Sequence, residues 1–172
     1  MKTSTLWLTG LSGSGKTTVS IALADQLANS NLCTYIIDGD ILRSGLCKDL
    51  GFSLDDRKEN IRRAAEVAKI LNDAGIVVIC ALISPLDEDR RIAKSIIGEH
   101  NFFEIYLSTP LSVCEKRDVK GLYKKARAGL IENFTGISSP YEAPQTPWIS
   151  IDTSDKNIDE ITSSIINKLN AQ

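Results

Sequence analysis

The sequence predicts an α/β fold, with a mostly parallel central sheet covered by helices on both faces. Two observations predict it: strand-like apolar runs alternate with helix-period segments along the whole chain, and the first strand runs straight into a glycine-rich turn and a helix. Residues 5–9 read as that strand, and apolar residues at helical spacing follow over 19–27. Residues 33–37 are strand-like, and Ile61, Ala64, Ala65, Ala68 and Leu71 mark a long amphipathic helix that Gly75 stops. Residues 76–82 read as a strand buried on both faces, 87–97 as a helix, 102–107 as a strand and 111–116 as a short helix. From 118 to 147 the pattern turns to basic residues, aromatics, glycines and prolines, too polar for a core and long for a connection, which predicts a lid or an oligomer contact. Residues 148–151 resume strand character, and an amphipathic helix over 157–169 closes the chain. No internal repeat, low-complexity tract or linker interrupts this order.

A length of 172 residues fits one domain, 1–172, and 42% apolar with 24% charged residues is the balance of a globular protein, which excludes collagenous, disordered and coiled-coil classes. A net charge of −2 offers no field for nucleic acid or an anionic membrane, so any anion site is local. The longest apolar stretch, 75–83, is far short of the roughly 20 residues that cross a bilayer. With no basic-then-apolar start, a cytoplasmic protein is expected. Cys33, Cys47, Cys80 and Cys114 form no C-x-x-C pair and read as reduced, mostly buried thiols. A single histidine, His100, puts Ser-His-Asp and multi-histidine metal chemistry far behind; it reads as a surface cap residue.

Gly10-Leu11-Ser12-Gly13-Ser14-Gly15-Lys16-Thr17 matches G-x-x-x-x-G-K-[ST] in full, between a strand and a helical pattern. Glycines at these positions let backbone N–H groups curl around a polyphosphate, the helix points its positive end at it, Lys16 neutralises the outer phosphates, and the Thr17 hydroxyl is placed for Mg²⁺. The fold class is therefore a three-layer P-loop NTPase fold with a basic lid. A motor-type acidic pair is missing after residues 76–81, and a base-reading N/T-K-x-D is absent. Asp118-Val119-Lys120-Gly121 fits D-x-x-G, but it lies away from a strand end and reads as chance.

Asp38-Gly39-Asp40 ends the second strand, where a carboxylate can face the γ-phosphate and an acceptor; an acidic turn is the simpler alternative. Phosphorylating a hydroxyl needs a group to orient or accept its proton, and Asp38 is the first choice. Either Asp55 or Asp56 is expected to cap the long helix, which leaves Arg57 a cation in a first helical turn. The helix dipole opposes that placement unless an anion sits there, so Arg43 with Arg57 suggests a bound acid; an ion pair with the neighbouring aspartates is the alternative. Asn60 lies on the Arg57 side of the helix, and Phe52 precedes it as either a base-stacking ring or a core residue. Lys120 to Arg127 carries four cations in eight residues, read as a closing lid in preference to a solvated basic helix. Asp87, Arg90 and Arg91 read as a solvated helix start, with Arg90 or Arg91 able to face the donor side, and Trp7 and Trp148 as core residues of strands.

Together with Gly51-Phe52-Ser53, Asp56-Arg57 through Glu59-Asn60-Ile61-Arg62-Arg63, Ile83-Ser84-Pro85, Lys120 through Gly129, Phe134-Thr135-Gly136 and Ser139 through Pro144, these residues resemble the adenylylsulfate kinase family over nearly the whole chain. The resemblance implies transfer of a phosphoryl group from ATP to the 3′-hydroxyl of adenosine 5′-phosphosulfate, giving 3′-phosphoadenylylsulfate and ADP, with Mg²⁺, in a homodimer. It implies that Gly10 through Thr17, with Thr18 and Arg117, hold ATP. It also implies that Asp38, Asp40, Arg43, Phe52, Arg57, Asn60, Ile83, Ser84, Lys120 and Phe134 hold the acceptor, with Phe134 facing Phe52 across its adenine. Asp38 and Lys16 are the implied catalytic pair, and Ser84 corresponds to a serine named in the family as a phosphoserine intermediate; a turn or substrate contact is the other reading. Ile41, Cys47 and Val119 depart from the family pattern, and Cys47 would be a labelable thiol if exposed. A P-loop kinase for another small acceptor, and a nucleotide-gated binding module without transfer, are the two alternatives.

Overall fold

The computed structural model describes residues 3–171. Five strands, β1 (Thr5–Thr9), β2 (Thr34–Asp38), β3 (Val77–Ala81), β4 (Phe102–Leu107) and β5 (Ile149–Ile151), form one sheet in the order β2-β3-β1-β4-β5. Every ladder is parallel, with Leu6 opposite Ile79 and Phe103 on either side of the central strand.

The helices are α1 (Lys16–Asn29), α2 (Gly39–Ser44), α3 (Leu54–Asp73), α4 (Asp87–Ile97), α5 (Leu111–Arg117), α6 (Leu122–Arg127) and α7 (Ile158–Asn170). Strand side chains alternate between two cores, as a period of two requires when both faces are covered. Leu6, Leu8, Val77 and Ile79 pack with Val19, Leu23 and Leu27 of α1 and Ile161, Ile165 and Leu169 of α7. Trp7, Val78 and Cys80 pack on the other face with Ile61, Ala64 and Ala68 of α3 and Ala93 and Ile97 of α4. Small alanines at 64, 65 and 68 let α3 lie close to the sheet. Trp7 is a core residue as expected, whereas Trp148 is half-buried, its ring edge on Phe103 at 5.1 Å.

One expectation is corrected, and two short helices are added. The cap of α3 is Ser53, whose hydroxyl accepts from the Asp56 N–H (3.1 Å) and donates to the Asp56 carboxylate (2.7 Å); Asp55 and Asp56 lie inside the first turn. Residues 39–44 are helical, because the Asp38 side chain accepts from the Asp40 N–H at 2.8 Å and starts a turn too short to show periodicity. Within 118–147, α6 is helical, and the Asp118 carboxylate accepts from the Tyr123 and Lys124 N–H groups at 3.0 and 3.1 Å, so the D-x-x-G match is a helix-starting aspartate.

All four thiols are free; Cys33 is exposed and Cys47, Cys80 and Cys114 are buried, so Cys47 is closed to labelling. Among the described residues no helix is long and apolar enough to cross a membrane.

Candidate active site

The loops leaving the carboxyl ends of β1, β2 and β3 open on one edge of the sheet, the place where parallel sheets bind ligands. A cleft of about 1420 Å³ lies there, walled by the loop after β1, the start of α2, the face of α3, residues 81–85 and the 117–135 segment.

On the donor side, the chain turns sharply at Gly10, where a Cβ would meet the Ser14 hydroxyl at 2.7 Å and the Leu107 carbonyl at 2.8 Å. Gly13, at φ +76, has the Cys114 carbonyl 3.0 Å from where its Cβ would be, so both positions exclude side chains. The Lys16 ammonium donates to the Gly10 and Leu11 carbonyls at 2.8 and 2.7 Å. Burial lowers its pKa to about 8, the nearby Cys114, Asp38 and Asp40 opposing that shift. Ser12, Gly13, Gly15, Lys16, Thr17 and Thr18 line the cleft. Gly10, Leu11 and Ser14 shape the loop from behind; Leu11 faces a separate hollow beside Tyr106 and Tyr141, and Ser14 is fully buried.

Arg117 lines the donor end and is tied down there, its guanidinium donating to the Gly13 carbonyl (3.2 Å), the Thr153 hydroxyl (2.9 Å) and the Thr153 carbonyl (2.6 Å). Thr153 and Thr109 share a 2.7 Å hydrogen bond, and the Thr153 hydroxyl donates to the Ser14 carbonyl at 3.0 Å. These buried threonines, which sequence reasoning missed, brace the loop from beyond the ends of β4 and β5.

Across the cleft the residues expected on the acceptor side come together. Arg57 is 8% exposed and, among the described residues, forms no ion pair; it donates to the carbonyls of Phe52 (3.1 Å) and Asn133 (2.7 Å). Arg43 donates to the Gly51 carbonyl at 2.7 Å and lies 4.3 Å from the Phe52 ring centre, with Arg57 at 5.6 Å. The aspartate pairing considered for Arg57 is not made. Burial lowers the pKa of both guanidiniums; for Arg57 the charge of Arg43 lowers it further, while for Arg43 nearby Asp56 and Asp40 oppose the shift. Phe52 is 56% exposed, which removes the core reading. Phe134 is buried, and Asn60 is buried with its side-chain oxygen unpartnered; both line the same cleft, as does Ile83.

Between the two sides, Asp38 accepts from the Thr17 hydroxyl at 3.2 Å. Asp40 pairs with Lys120, which raises the lysine pKa and ties the 118–147 segment to the start of α2 at the cleft. Ser84 also lines the cleft but is 2% exposed, at φ +39, with its hydroxyl accepting from the Trp7 indole at 3.1 Å.

Behind Ser84 lies Arg90, read from the sequence as part of a solvated helix start with a possible donor-side role. It is 2% exposed and donates to the Glu104 carboxylate, the Ser84 carbonyl and the Glu142 carbonyl, each at 2.8 Å. Glu104, facing it from β4, was the missing signal: two opposite charges in elements that periodicity makes half-buried.

A phosphate-cradling loop heading the central strand of a parallel β2-β3-β1-β4-β5 sheet, facing a cationic pocket across a carboxylate, defines a P-loop kinase. The family model described as adenylylsulphate kinase matches residues 2–152, and the chain belongs to that family. It is 53% identical over 164 residues to the adenylyl-sulfate kinase of Shewanella amazonensis, covering 95% of this chain and 83% of that one. To that of Phocaeicola vulgatus it is 56% identical over 161 residues, covering 94% and 79%. It superimposes on the Mycobacterium tuberculosis APS kinase CysC, solved in complex with AMPPNP and APS, with a TM-score of 0.95 at 46% identity, covering 98% of each chain.

Proposed function

We propose that this protein transfers the γ-phosphoryl group of ATP to the 3′-hydroxyl of adenosine 5′-phosphosulfate, yielding 3′-phosphoadenylylsulfate and ADP. The observation that carries the reading is buried Arg57 beside half-buried Arg43, which line the cleft with the triphosphate loop and Asp38 and form no ion pair among the described residues. An acceptor with an anionic tail and an aromatic base supplies what that pocket lacks: negative charge for the guanidiniums and a ring for the faces of Phe52 and Phe134. The Asn60 oxygen, buried without a partner, is available to an amino group on that ring.

Phosphoryl transfer asks the protein for positioning and charge more than for covalent chemistry. Gly10 through Thr18 wrap the triphosphate, Lys16 meets its outer oxygens, and Arg117 secures the loop at the adenine end. Asp38 orients the acceptor hydroxyl and takes its proton as the P–O bond forms. The adjacent Thr17 hydroxyl and Asp38 carboxylate, 3.2 Å apart, fit the one or two protein oxygens that Mg²⁺ takes, and the ion would neutralise phosphate charge there. Lys120 and the lid over 118–147 exclude water on closing. The Ser84 hydroxyl already accepts from Trp7, which supports a positioning contact over a phosphoserine carrier. The protein acts as one kinase domain over 1–172 and as a homodimer. A cytoplasmic setting, which keeps thiols reduced, accords with four free cysteines.

An ADP-release assay across acceptors tests this. With adenylylsulfate, ADP and 3′-phosphoadenylylsulfate form in equal amounts; with a nucleoside or a sugar acid the rate stays at background. Faster turnover of another acceptor, or binding of adenylylsulfate without ADP release, overturns the assignment.

A further inference from the structure

We propose that Tyr123 is a positioning residue that couples filling of the triphosphate loop to the aromatic platform of the acceptor pocket, so that each nucleotide tightens binding of the other. The inference rests on the two-site reading above. Tyr123 sits on α6 at 3% exposure and touches both sides of the cleft. Its hydroxyl donates to the Ser12 carbonyl at 2.9 Å, inside the phosphate-cradling loop. Its ring meets Phe134 edge to face, centroids 5.0 Å apart at 78°.

The link between these contacts is stiff. Tyr123 belongs to a small apolar cluster with Cys114, Ala126 and Phe134, against which Leu11 and Leu111 pack, separate from the two cores on the sheet. That cluster spans the lid, α5 and the loop itself, and the Cys114 carbonyl lies against Gly13. The start of α6 is fixed by the Asp118 carboxylate, which holds the Tyr123 N–H at 3.0 Å.

A tyrosine ring turns about only two torsions, so a hydroxyl held by the loop and a ring edge held by Phe134 move together. When a triphosphate draws the N–H groups of the loop inward, the Ser12 peptide turns, and its carbonyl carries the Tyr123 hydroxyl with it. The ring then sets the tilt of Phe134 against the acceptor base. Linkage makes the effect reciprocal: an acceptor base that fixes Phe134 fixes the loop by the same factor.

Calorimetry of adenylylsulfate binding, with and without a saturating non-hydrolysable ATP analogue and Mg²⁺, reads the coupling directly. In the unaltered protein the analogue tightens adenylylsulfate binding by about 5-fold or more. Tyr123→Phe keeps the ring, removes only the hydroxyl, and brings the factor below about 2-fold. A merely structural role would lower the melting temperature and leave that ratio alone. An unchanged ratio in Tyr123→Phe, or a ratio under about 2-fold in the unaltered protein, overturns the proposal. Should the variant not fold, tyrosine ring ¹³C resonances of the unaltered protein decide: that of Tyr123 shifts when either nucleotide is added alone, and a response to only one overturns the coupling. If either nucleotide fails to bind, the functional reading falls and the coupling with it. Binding of both without mutual tightening removes the coupling alone.

Discussion

Arg90→Met separates a buried ion pair from its carboxylate directly behind the site. Arg90 and Glu104 keep 2% and 18% of their side-chain exposure, and the guanidinium also holds the carbonyls of Ser84 and Glu142. Removing one member of a buried pair costs about 3–5 kcal/mol, and the low end applies here because Glu104 retains some water. A loss of about 3 kcal/mol lowers the melting temperature of a chain this size by roughly 6–12 °C. The pH dependence gives the sharper test. Burial raises the Glu104 pKa above its ordinary value, with Arg90 pulling it back down. The folded state therefore holds that proton more tightly than the unfolded chain, and stability falls as pH rises from the ordinary value through the raised one. Without Arg90 the folded value rises further, so the variant loses more stability at pH 7 than at pH 5. Urea unfolding of both proteins at the two pH values measures this. Equal losses at the two values, or a loss under about 1 kcal/mol at pH 7, would refute the assignment of an uncompensated carboxylate.

Three further outcomes are expected at the site. Lys16, with its pKa lowered to about 8, is largely neutral above that pH in the free protein; a bound triphosphate restores its charge. ATP binding therefore takes up a proton and weakens as pH climbs past 8, and calorimetry in buffers of different ionisation enthalpy shows whether that uptake occurs. Arg57→Ala raises the KM for adenylylsulfate by ~10–100-fold, the worth of one or two charged hydrogen bonds, while the KM for ATP moves by less than ~3-fold; steady-state kinetics that show equal changes would move Arg57 to the donor side. Ser84→Ala lowers kcat by no more than ~30-fold if the hydroxyl is a contact held by Trp7. Activity at background, with a phosphoprotein formed by the unaltered chain, would establish the covalent route instead.

Local patterns made most of the scaffold legible. A full phosphate-loop motif between a strand and a helix, period-two burial in β1 and β3, and the alanine-rich face of α3 each depend on neighbours a few residues away, so spacing reveals them. The boundaries of β1, α4 and β4 follow from the same patterns. Asp38 and Arg57 stood out because each breaks a local rule, an acidic residue beside a phosphate-loop motif and a cation at a helix start.

Residues whose role depends on distant partners were not. Arg90 looks like surface charge until Glu104, 14 residues on, and Glu142, 52 residues on, close around it. Arg57 meets Asn133 across 76 residues, and Tyr123 reaches Ser12 across 111. Which cation stays free for a ligand and which is consumed by the fold is decided by burial and by competing acceptors brought in from elsewhere in the chain. Sequence alone determined the loop that grips phosphate and the sheet that carries it. Only the tertiary structure decided that Arg57 is buried without an ion pair among the described residues while Arg90 is buried against Glu104, because the cost of removing a charge from water is met by whatever three-dimensional packing places beside it.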